Sequence, residues 1–298
     1  MRRAFIVLNP AAGRGRGRAL ARDITDAIRA AGFDVTVGES RAPGDERRVA
    51  EEAVRTGWNL LVAAGGDGTV HGVANGLLRA ERPATVGVVP IGTGNDFARL
   101  VGAPVGDLAT AAEIVAQGTD RTFDVGRTGG EFFTNGLGVG FDTEVIRQMQ
   151  RLPRLRGFAL YLAAVYRTFF AFRPRTLHVT AAEHEEQGPL MLAEVSIGIS
   201  AGGGFRLTPD ADPTDGLFDV CLIRRVGLAR FLWYVPRVIT GTHRRLAPVT
   251  LFRSAHLTLE TPGRPLVMHL DGELREPGGE TITVDVVPRR LTVRCAAS

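Results

Sequence analysis

The sequence predicts an α/β domain with a mostly parallel sheet, followed by a β-rich sandwich domain. Strand-like and helix-like runs alternate up to about residue 120, and strands separated by turn signals dominate from about residue 122. Glycine-rich runs follow three of the early strands. A chain of 298 residues has the length of about two domains. We predict domains at residues 1–122 and 123–298, with the last residues packing back on the first domain.

The elements of the first domain are predicted from the spacing of apolar residues. Short β-branched apolar runs predict strands at 5–8, 34–37, 60–64 and 85–90. The intervening segments have helical spacing, at 17–31, 45–56, 69–79 and 107–117. This alternation implies parallel strands with helices on both faces. Ligands bind at the carboxyl ends of such strands, so functional residues are expected there.

The sequence pattern of the second domain predicts a β-sandwich. Turn signals separate predicted strands at 123–127, 131–135, 176–182, 191–200, 217–224, 249–260, 265–270, 281–287 and 291–295. Two helical segments interrupt them, near 142–172 and 228–241.

The basic residues exclude several enzyme classes. All 36 of them are arginine, because the chain has no lysine. A P-loop nucleotidase, a protein kinase and a pyridoxal-phosphate enzyme each need a lysine, so all three are excluded. The net charge of +4 is modest, the arginines are spread along the chain, and no RNA-recognition or helix-turn-helix signature is present. No nucleic-acid partner is expected.

The cysteines and the N-terminus predict a cytoplasmic protein. Cys221 and Cys295 form neither a disulfide framework nor a zinc motif. The apolar run at 4–8 is shorter than that of a signal peptide and is predicted to be a buried strand.

Three polar, glycine-containing runs each follow a predicted strand, at 9–13, 65–69 and 92–96. Any one of them alone is explained as a tight turn with a helix cap. Glycine also lets the backbone approach a ligand, so that N–H groups and a helix N-terminus face an anion. Since all three runs belong to one edge of a parallel sheet, together they favour phosphate binding.

The runs Gly65-Gly66-Asp67-Gly68-Thr69 and Gly92-Thr93-Gly94-Asn95-Asp96, with Asn9-Pro10-x-x-Gly13, resemble the diacylglycerol kinase catalytic domain family, which includes bacterial lipid kinases and sphingosine and ceramide kinases. The resemblance covers nearly the whole chain and implies the fold shared by lipid kinases and NAD kinases. It implies an ATP site formed by Asn9, Pro10, Ala11, Ala12, Gly13, Ser40, Gly65, Gly66, Asp67, Gly68, Thr69, Gly92, Thr93, Asn95 and Asp96.

Two details of this site follow from the residue types. Ser40 stands where the family usually has threonine and keeps the hydroxyl. The carboxylates of Asp67 and Asp96 are of the type that holds Mg²⁺ at a triphosphate. The chain departs from the family at Val70-His71-Gly72, and His71 is interpreted as a helix-surface residue. Arg14, Arg16 and Arg18 are either phosphate ligands or a solvated helix start.

Two Asp-Gly motifs lie in the second domain. The run from Pro209 to Asp219 resembles a family segment that holds a structural Mg²⁺, which implies metal contacts at Asp212, Asp215 and the carbonyl of Leu217. In Asp271-Gly272-Glu273, the resemblance makes Asp271 the catalytic general base that takes the proton of a substrate hydroxyl. Each Asp-Gly pair is also a common hairpin turn signal, so both alternatives remain open.

The segment 147–175 is rich in arginine and aromatic residues. Its uncharged part, 157–166, is shorter than the ~20 residues that span a bilayer. A helix of this kind suits an anionic membrane surface, and equally suits packing on the sandwich with its arginines outward. We expect a lipid substrate and a peripheral contact with the inner face of the membrane. A homodimer through sandwich edges is also considered.

Two other functions compete. Gly198-Ile199-Ser200-Ala201-Gly202 matches the nucleophile elbow of esterases, but Gly203, Gly204 and Pro209 do not start the helix that an elbow needs, so Ser200 is predicted to end a strand. A soluble NAD-kinase-like enzyme shares the Gly-Gly-Asp-Gly run. The segments 92–96 and 212–219 favour the lipid-kinase branch. The resemblance implies an ATP- and Mg²⁺-dependent lipid kinase with diacylglycerol as the leading acceptor and phosphatidic acid as product, and sphingoid bases and other glycerolipids remain open as acceptors.

Overall fold

The computed structural model describes residues 2–152, 155, 157–276 and 279–297. The chain divides into two compact units, Met1–Phe123 with Arg289–Ser298, and Asp124–Pro288. It passes from the first unit to the second within one strand, Thr119–Thr128, and returns within another, Thr281–Cys295.

The first unit is a parallel sheet with helices between its strands. Its elements are β1 (Arg2–Leu8), α1 (Ala12–Ala30), β2 (Phe33–Glu39), α2 (Asp45–Arg55), β3 (Leu60–Gly65), α3 (Asp67–Ala80), β4 (Thr85–Pro90), α4 (Asp96–Leu100), α5 (Leu108–Gln117) and β5 (Thr119–Thr128). The sheet order is β2, β1, β3, β4 and then the end of the last strand of the chain, with all neighbours parallel.

Apolar packing explains this layering. Ile24 and Ile28 of α1 and Val115 of α5 pack against one face of the sheet, where alternate residues such as Ile6 and Val62 point. Every residue of β3 is buried, which requires cover on both faces. The predicted α/β architecture is confirmed.

The second unit is mainly antiparallel strands. Its elements are β6 (Glu131–Phe133), β7 (Gly136–Gly140), α6 (Phe141–Gln150), α7 (Gly157–Ala171), β8 (Arg175–Ala181), β9 (Glu185–Ser196), β10 (Phe218–Arg224), α8 (Leu228–Thr240), β11 (Val249–Ser254), β12 (His256–Glu260), β13 (Met268–Leu270), β14 (Glu273–Arg275) and β15 (Thr281–Cys295). One path of paired strands runs β14, β13, β7, β9, β8, β12 and β15, and β9 also pairs with β10, which pairs with β11.

Alternate residues of these strands form one apolar core, in which the rings of Phe133 and Phe218 stack with centroids 5.7 Å apart. A separate apolar cluster joins the three helices α6, α7 and α8, with Phe141, Val165 and Phe231 at its centre. The predicted β-rich second part of the chain is confirmed.

Several predicted elements differ in extent. The predicted helix 142–172 is two helices, α6 and α7, and the predicted strand 249–260 is two strands, β11 and β12. Separate strands were predicted at 281–287 and 291–295, but β15 is one strand that runs through Pro288, since a proline is tolerated where its missing N–H is not needed by a neighbouring strand.

Strand β7 was not predicted at all, because glycine at positions 136, 138 and 140 weakens a strand signal. The predicted strand 191–200 was also wrong at its end, since β9 stops at Ser196.

Candidate functional site

The three glycine-containing runs and Ser40 lie at the carboxyl ends of the parallel strands β1 to β4. Main-chain hydrogen bonds join neighbouring strand ends: Asn9 N donates to Ala64 O over 3.1 Å, and Ser40 N donates to Leu8 O over 2.9 Å. The structure therefore brings the predicted nucleotide residues to one edge of one sheet.

The first run, Asn9 to Gly13, bends sharply before helix α1 continues. Gly13, Arg14 and Gly15 have positive φ values of 58°, 61° and 90°. Asn9 fixes the run, because its Nδ2 donates to Thr69 Oγ1 over 3.1 Å and its Oδ1 accepts from Ala11 N over 2.9 Å. The first run is thus tied directly to the second by side chains 60 residues apart in sequence.

The second and third runs contact each other through glycine. A Cβ atom on Gly92 would come closer than 3.0 Å to the Cα of Gly66, so neither run can carry a larger residue there without moving. Asp67 Oδ1 accepts from Phe97 N over 3.1 Å, which links the second run to helix α4. The tips at 66–68 and 92–94 are half-buried, so their backbone stays reachable from solvent.

The carboxylates of this edge already have partners. Asp96 is buried and faces Arg99 Nη1 at 3.2 Å, and Asn95 beside it has a φ of 56° and donates to Gly92 O over 2.8 Å. His71 is 4% exposed inside α3, so its prediction as a helix-surface residue was wrong. Packing of α3 against α2 buries this part of the helix. Arg14, Arg16 and Arg18 are exposed.

Asp271 lies in the two-residue turn between β13 and β14, with a φ of 50°, so the hairpin alternative is correct locally. Its carboxylate binds the main chain of Thr134, which lies 137 residues earlier in the sequence. Asp271 Oδ1 accepts from Asn135 N over 2.8 Å and Gly136 N over 3.1 Å, while Oδ2 accepts from Thr134 N over 3.0 Å and Thr134 Oγ1 over 3.2 Å. The buried carboxylate thereby fixes the turn to the start of β7. The role of general base stays a prediction.

A cluster of three buried ionisable side chains adjoins this turn. His269 Nε2 is 2.8 Å from Asp142 Oδ2 and 3.9 Å from Glu194 Oε2. Burial alone lowers the pKa of His269, but the carboxylates of Asp142, Glu194 and Asp271 outweigh it and raise the pKa to about 9. This shift favours the charged imidazole, whose Nε2–H donates to Asp142 Oδ2, and a positive charge there offsets part of the negative charge around it.

Glycine provides the room for this cluster. A Cβ atom on Gly138 would lie closer than 3.0 Å to Asp142, His269 and Glu194, and one on Gly136 would lie as close to Glu194. Asp142, Glu194 and His269 have potential metal-ligand atoms within 4.8 Å of one another. Among the described residues, this is the one group of three or more acidic, histidine or cysteine side chains that lie so close together.

The predicted metal loop is held by its own backbone and by arginine. Asp212 Oδ1 accepts from Thr214 N over 3.0 Å, and Asp215 Oδ1 accepts from Leu217 N over 3.0 Å. Asp124 Oδ2 accepts from Gly216 N over 2.7 Å. The Asp215-Gly216 pair is not a hairpin turn, because β10 begins at Phe218 and pairs with the distant β9. The predicted ligands Asp212, Asp215 and the carbonyl of Leu217 are all oxygen donors, which is the donor type that Mg²⁺ prefers.

Arginine and burial shape the charge of this loop. Arg253 Nη1 lies 3.6 Å from Asp215 Oδ2 and its Nε lies 3.3 Å from Asp219 Oδ1. Burial raises the pKa of Asp219, although Arg253 acts in the opposite direction.

An apolar cavity of about 90 Å³ lies among α6, α7, α8 and strands β9 and β10. Phe141, Val165 and Phe231 line it, together with Asp142 of the buried cluster, which is the carboxylate in its wall. None of the helices among the described residues is both long enough and apolar enough to cross a bilayer. Arg154 and Arg156, which belong to the segment 147–175, lie outside the described residues.

Ser200 is not in a nucleophile elbow. It is buried four residues beyond β9, Ala201 bridges to Phe205, and the next helix in the chain is α8. An elbow requires a strand, a sharp turn and a helix in immediate succession. The prediction that Ser200 ends a strand was wrong in position, but the exclusion of an esterase elbow holds.

Two family models match this chain, the diacylglycerol kinase catalytic domain at residues 3–128 and the YegS C-terminal NAD kinase beta sandwich-like domain at residues 136–295. A diacylglycerol kinase of Bacillus subtilis is 31% identical over 274 residues, which is 92% of this chain and 90% of the relative. A diacylglycerol kinase of Mycobacterium tuberculosis is 29% identical over 291 residues, which is 96% and 92%.

Solved structures share the fold. A diacylglycerol kinase from Bacillus anthracis superposes with a TM-score of 0.74 at 20% identity, covering 99% of this chain and 97% of that chain. An NAD kinase from Archaeoglobus fulgidus in complex with ATP gives a TM-score of 0.55 at 13% identity, covering 98% and 93%. The fold, with three glycine-containing runs at the carboxyl ends of its parallel strands, is that of the class of kinases whose second unit is a β-sandwich. Within it, the chain belongs to the diacylglycerol kinase catalytic domain family, and it is a lipid kinase.

Sequence reasoning missed Asp142, Glu194 and His269. Their contacts join positions up to 127 residues apart, so no local motif contains them. One usable signal was the position of His269, two residues before Asp271. Residues two apart in a strand lie on the same face, so a strand continued through Asp271 would place both side chains on one face.

Proposed function

We propose that this lipid kinase transfers the γ-phosphoryl group of ATP to the hydroxyl of diacylglycerol and forms phosphatidic acid. The observation that carries the ATP part is the meeting of three glycine-containing runs at one sheet edge, tied by the bond from Asn9 to Thr69. Backbone N–H groups at such an edge, with the N-terminus of α3 after Gly66, are the common protein site for phosphate.

Mg²⁺ fits the donors of this chain at two places. Asp67 and Asp96 would hold an ion that neutralises charge on the triphosphate, which is the chemistry the ion supplies to phosphoryl transfer. Asp212, Asp215 and the carbonyl of Leu217 would hold a structural ion, supported by the oxygen-only donor set of that loop. Asp124 keeps the loop in shape through Gly216 in either case.

The turn Asp271-Gly272-Glu273 is the proposed source of the general base. The base takes the proton of the acceptor hydroxyl while its oxygen attacks the γ-phosphorus in line with the leaving oxygen. Asp271 was predicted for this role, but four or more hydrogen bonds engage its two oxygens. Glu273 is exposed two residues further along. This contrast favours Glu273 for the proton transfer and Asp271 for holding the turn.

The apolar cavity of the second unit supports an acyl-chain acceptor. Its volume of about 90 Å³ is that of about three groups of water size, at ~30 Å³ each. It therefore takes part of one chain unless α7 or α8 moves outward. A largely apolar pocket with a few polar wall residues, here Asp142, Tyr161 and Tyr234, is typical of sites for amphipathic small molecules.

A peripheral contact with a membrane is supported by exposed apolar side chains. Most of the large ones among the described residues lie on α7 and α8 or, for Leu155, two residues before α7: Leu155, Phe158, Phe170, Leu228, Leu232 and Trp233. Arg237 lies over the ring of Trp233 at 3.3 Å. Aromatic and basic side chains on short helices are typical of proteins that rest on an anionic lipid surface.

The decisive experiment is a kinase assay with labelled ATP and Mg²⁺ against diacylglycerol, sphingoid bases and ceramide in mixed micelles, with NAD as the soluble competitor. We expect the label in phosphatidic acid. The proposal fails if NAD is labelled and no lipid is.

The base is tested by Glu273→Gln and Asp271→Asn, with the exposed Glu183→Gln as matched control. Loss of a general base lowers kcat by about 10²–10⁴-fold. We expect this loss in Glu273→Gln without a change in unfolding temperature. Asp271→Asn should lose both activity and stability, because its amide NH₂ faces backbone N–H donors. Full turnover in Glu273→Gln, with a stable and inactive Asp271→Asn, would return the role to Asp271.

A further inference from the structure

We propose that the second unit carries a pocket for a phosphate-bearing anion, formed by α6, α7, the start of β8 and the loop between β12 and β13. We name it the basic pocket and define it by Arg147, Gln148, Thr168, Arg173, Arg175 and Arg264. It includes none of the residues of the glycine-containing runs, the metal loop or the Asp271 turn.

The basic pocket has the size of a ligand site. Its volume is about 640 Å³, which lies within the roughly 300–1,000 Å³ of small-molecule sites. Val139, Leu177 and Leu190 contribute apolar wall, so the pocket offers a contact for a carbon skeleton beside the arginines. An amphipathic phosphate ester matches both kinds of wall.

The charge of the basic pocket is positive. Four arginines and one carboxylate, Glu144, line it. Arg147 is paired with Glu144 and lies 3.0 Å from Glu276. Arg173 donates to the main-chain oxygen of Phe172 over 3.1 Å, and no carboxylate of the described residues pairs with it. Within the described ranges, no carboxylate pairs with Arg175 or Arg264. Guanidinium groups that are not paired with a carboxylate are preferred partners of phosphate oxygens.

Two buried polar atoms give independent support. Thr168 is 1% exposed and Gln148 is 9% exposed, and both line the basic pocket. Thr168 Oγ1 and Gln148 Oε1 have no hydrogen-bond partner among the residues that the structure describes. Leaving such an atom without a partner costs about 1–3 kcal/mol. A phosphate oxygen would accept from the Thr168 hydroxyl, and the amide of Gln148 can turn to present its NH₂ group.

The same chemistry has two sources, a phospholipid headgroup and a soluble phosphate ester. Binding is measured at constant ionic strength in two arms. One arm titrates inorganic phosphate and glycerol 3-phosphate by calorimetry. The other arm uses sedimentation with phosphatidylcholine vesicles, with and without phosphatidic acid. Binding in the vesicle arm alone that the basic-pocket variants lose identifies a headgroup site, and binding in the first arm that these variants lose identifies a site for soluble esters. Absence of binding in both arms overturns the proposal.

The residues are tested by the double variant Arg175→Gln/Arg264→Gln and by Thr168→Val. Arg167→Gln is the matched control, since Arg167 is exposed on α7 but does not line the basic pocket. We expect the double variant to lose affinity about tenfold or more and Thr168→Val to lose several-fold, because charge-assisted hydrogen bonds contribute more than neutral ones.

Arg167→Gln should bind as the wild type does. An equal loss in Arg167→Gln would show a response to net charge alone and would overturn the proposal. Kinase activity toward diacylglycerol in neutral micelles should not change in the double variant, so this test is separate from that of the proposed function.

Discussion

The two units place their functional groups by opposite means. In the first unit, the glycine-containing runs bring backbone together, and the side chains that fix them, such as Asn9 and Asp67, are short and close to the strand ends. In the second unit, ionisable side chains are buried and bound to each other across more than a hundred residues of chain, as His269 is to Asp142. The first arrangement suits a ligand that is bound by N–H groups. The second suits a turn that must keep one orientation.

Glycine serves both arrangements, but for different neighbours. Gly66 and Gly92 let two main chains touch, whereas Gly138 makes space for three ionisable side chains. The two units should therefore fail differently when a methyl group is added. Loss of ligand binding is expected in the first unit and loss of folding in the second.

The largest effect is expected for Gly138→Ala. The added methyl group would displace Asp142 from His269 and leave charges buried without partners, which costs roughly 3 kcal/mol or more. Urea unfolding followed by circular dichroism measures the loss. Gly227→Ala is the control, because Gly227 has a φ of −75° and nothing within 4 Å of its added Cβ. Equal stability of the two variants would contradict the described packing of Gly138.

A smaller loss of stability and a clear loss of ATP binding are expected for Gly92→Ala. The methyl group pushes the third run away from Gly66, at about 1–3 kcal/mol. The spacing of the backbone N–H groups then changes, so KM for ATP should rise about tenfold or more. Steady-state kinetics and thermal unfolding separate the two effects. An unchanged KM would show that this edge does not bind the nucleotide.

The pH dependence of stability should report His269. The pKa of His269 is raised to about 9 in the folded protein, so the imidazolium contributes stability that is fully present below pH 6.5 and is lost as pH rises through about 9. The loss is roughly 1–3 kcal/mol. It is measured as the free energy of unfolding from pH 6.5 to pH 9.5. His269→Gln should be less stable at pH 6.5 and should lack most of this slope. A wild-type slope that survives in His269→Gln would refute the assignment.

The contrast between the units also explains what the sequence revealed. The glycine-containing runs were predictable, because each directly follows its strand and parallel strands end at one edge. The alternation of β1 to β4 with helices was predictable for the same local reason. The burial of His71 was not, because it depends on α2 packing against α3.

Strand β7 was not predictable because of the glycines that make room for the buried ionisable cluster. Gly136 and Gly138 weaken the strand pattern, and they are glycine because Glu194, Asp142 and His269 occupy the space where side chains would lie. The sequence pattern at this position is typical of a glycine-rich turn. Knowledge of contacts with β9 and β13 is needed to see a strand. The same holds for Asp271, whose turn was predictable and whose bonds to Thr134 and Gly136 were not.

The return of β15 to the first unit affects how the protein is made. Thr292 and Val293 pair with Thr85 and Val86 of β4. The ribosome therefore synthesises all of Asp124–Pro288 before β15, the second partner strand of β4, exists. The second unit is an insertion within the first, and until Arg289–Ser298 emerges, nascent β4 has an open edge that is available to chaperones or to misfolding.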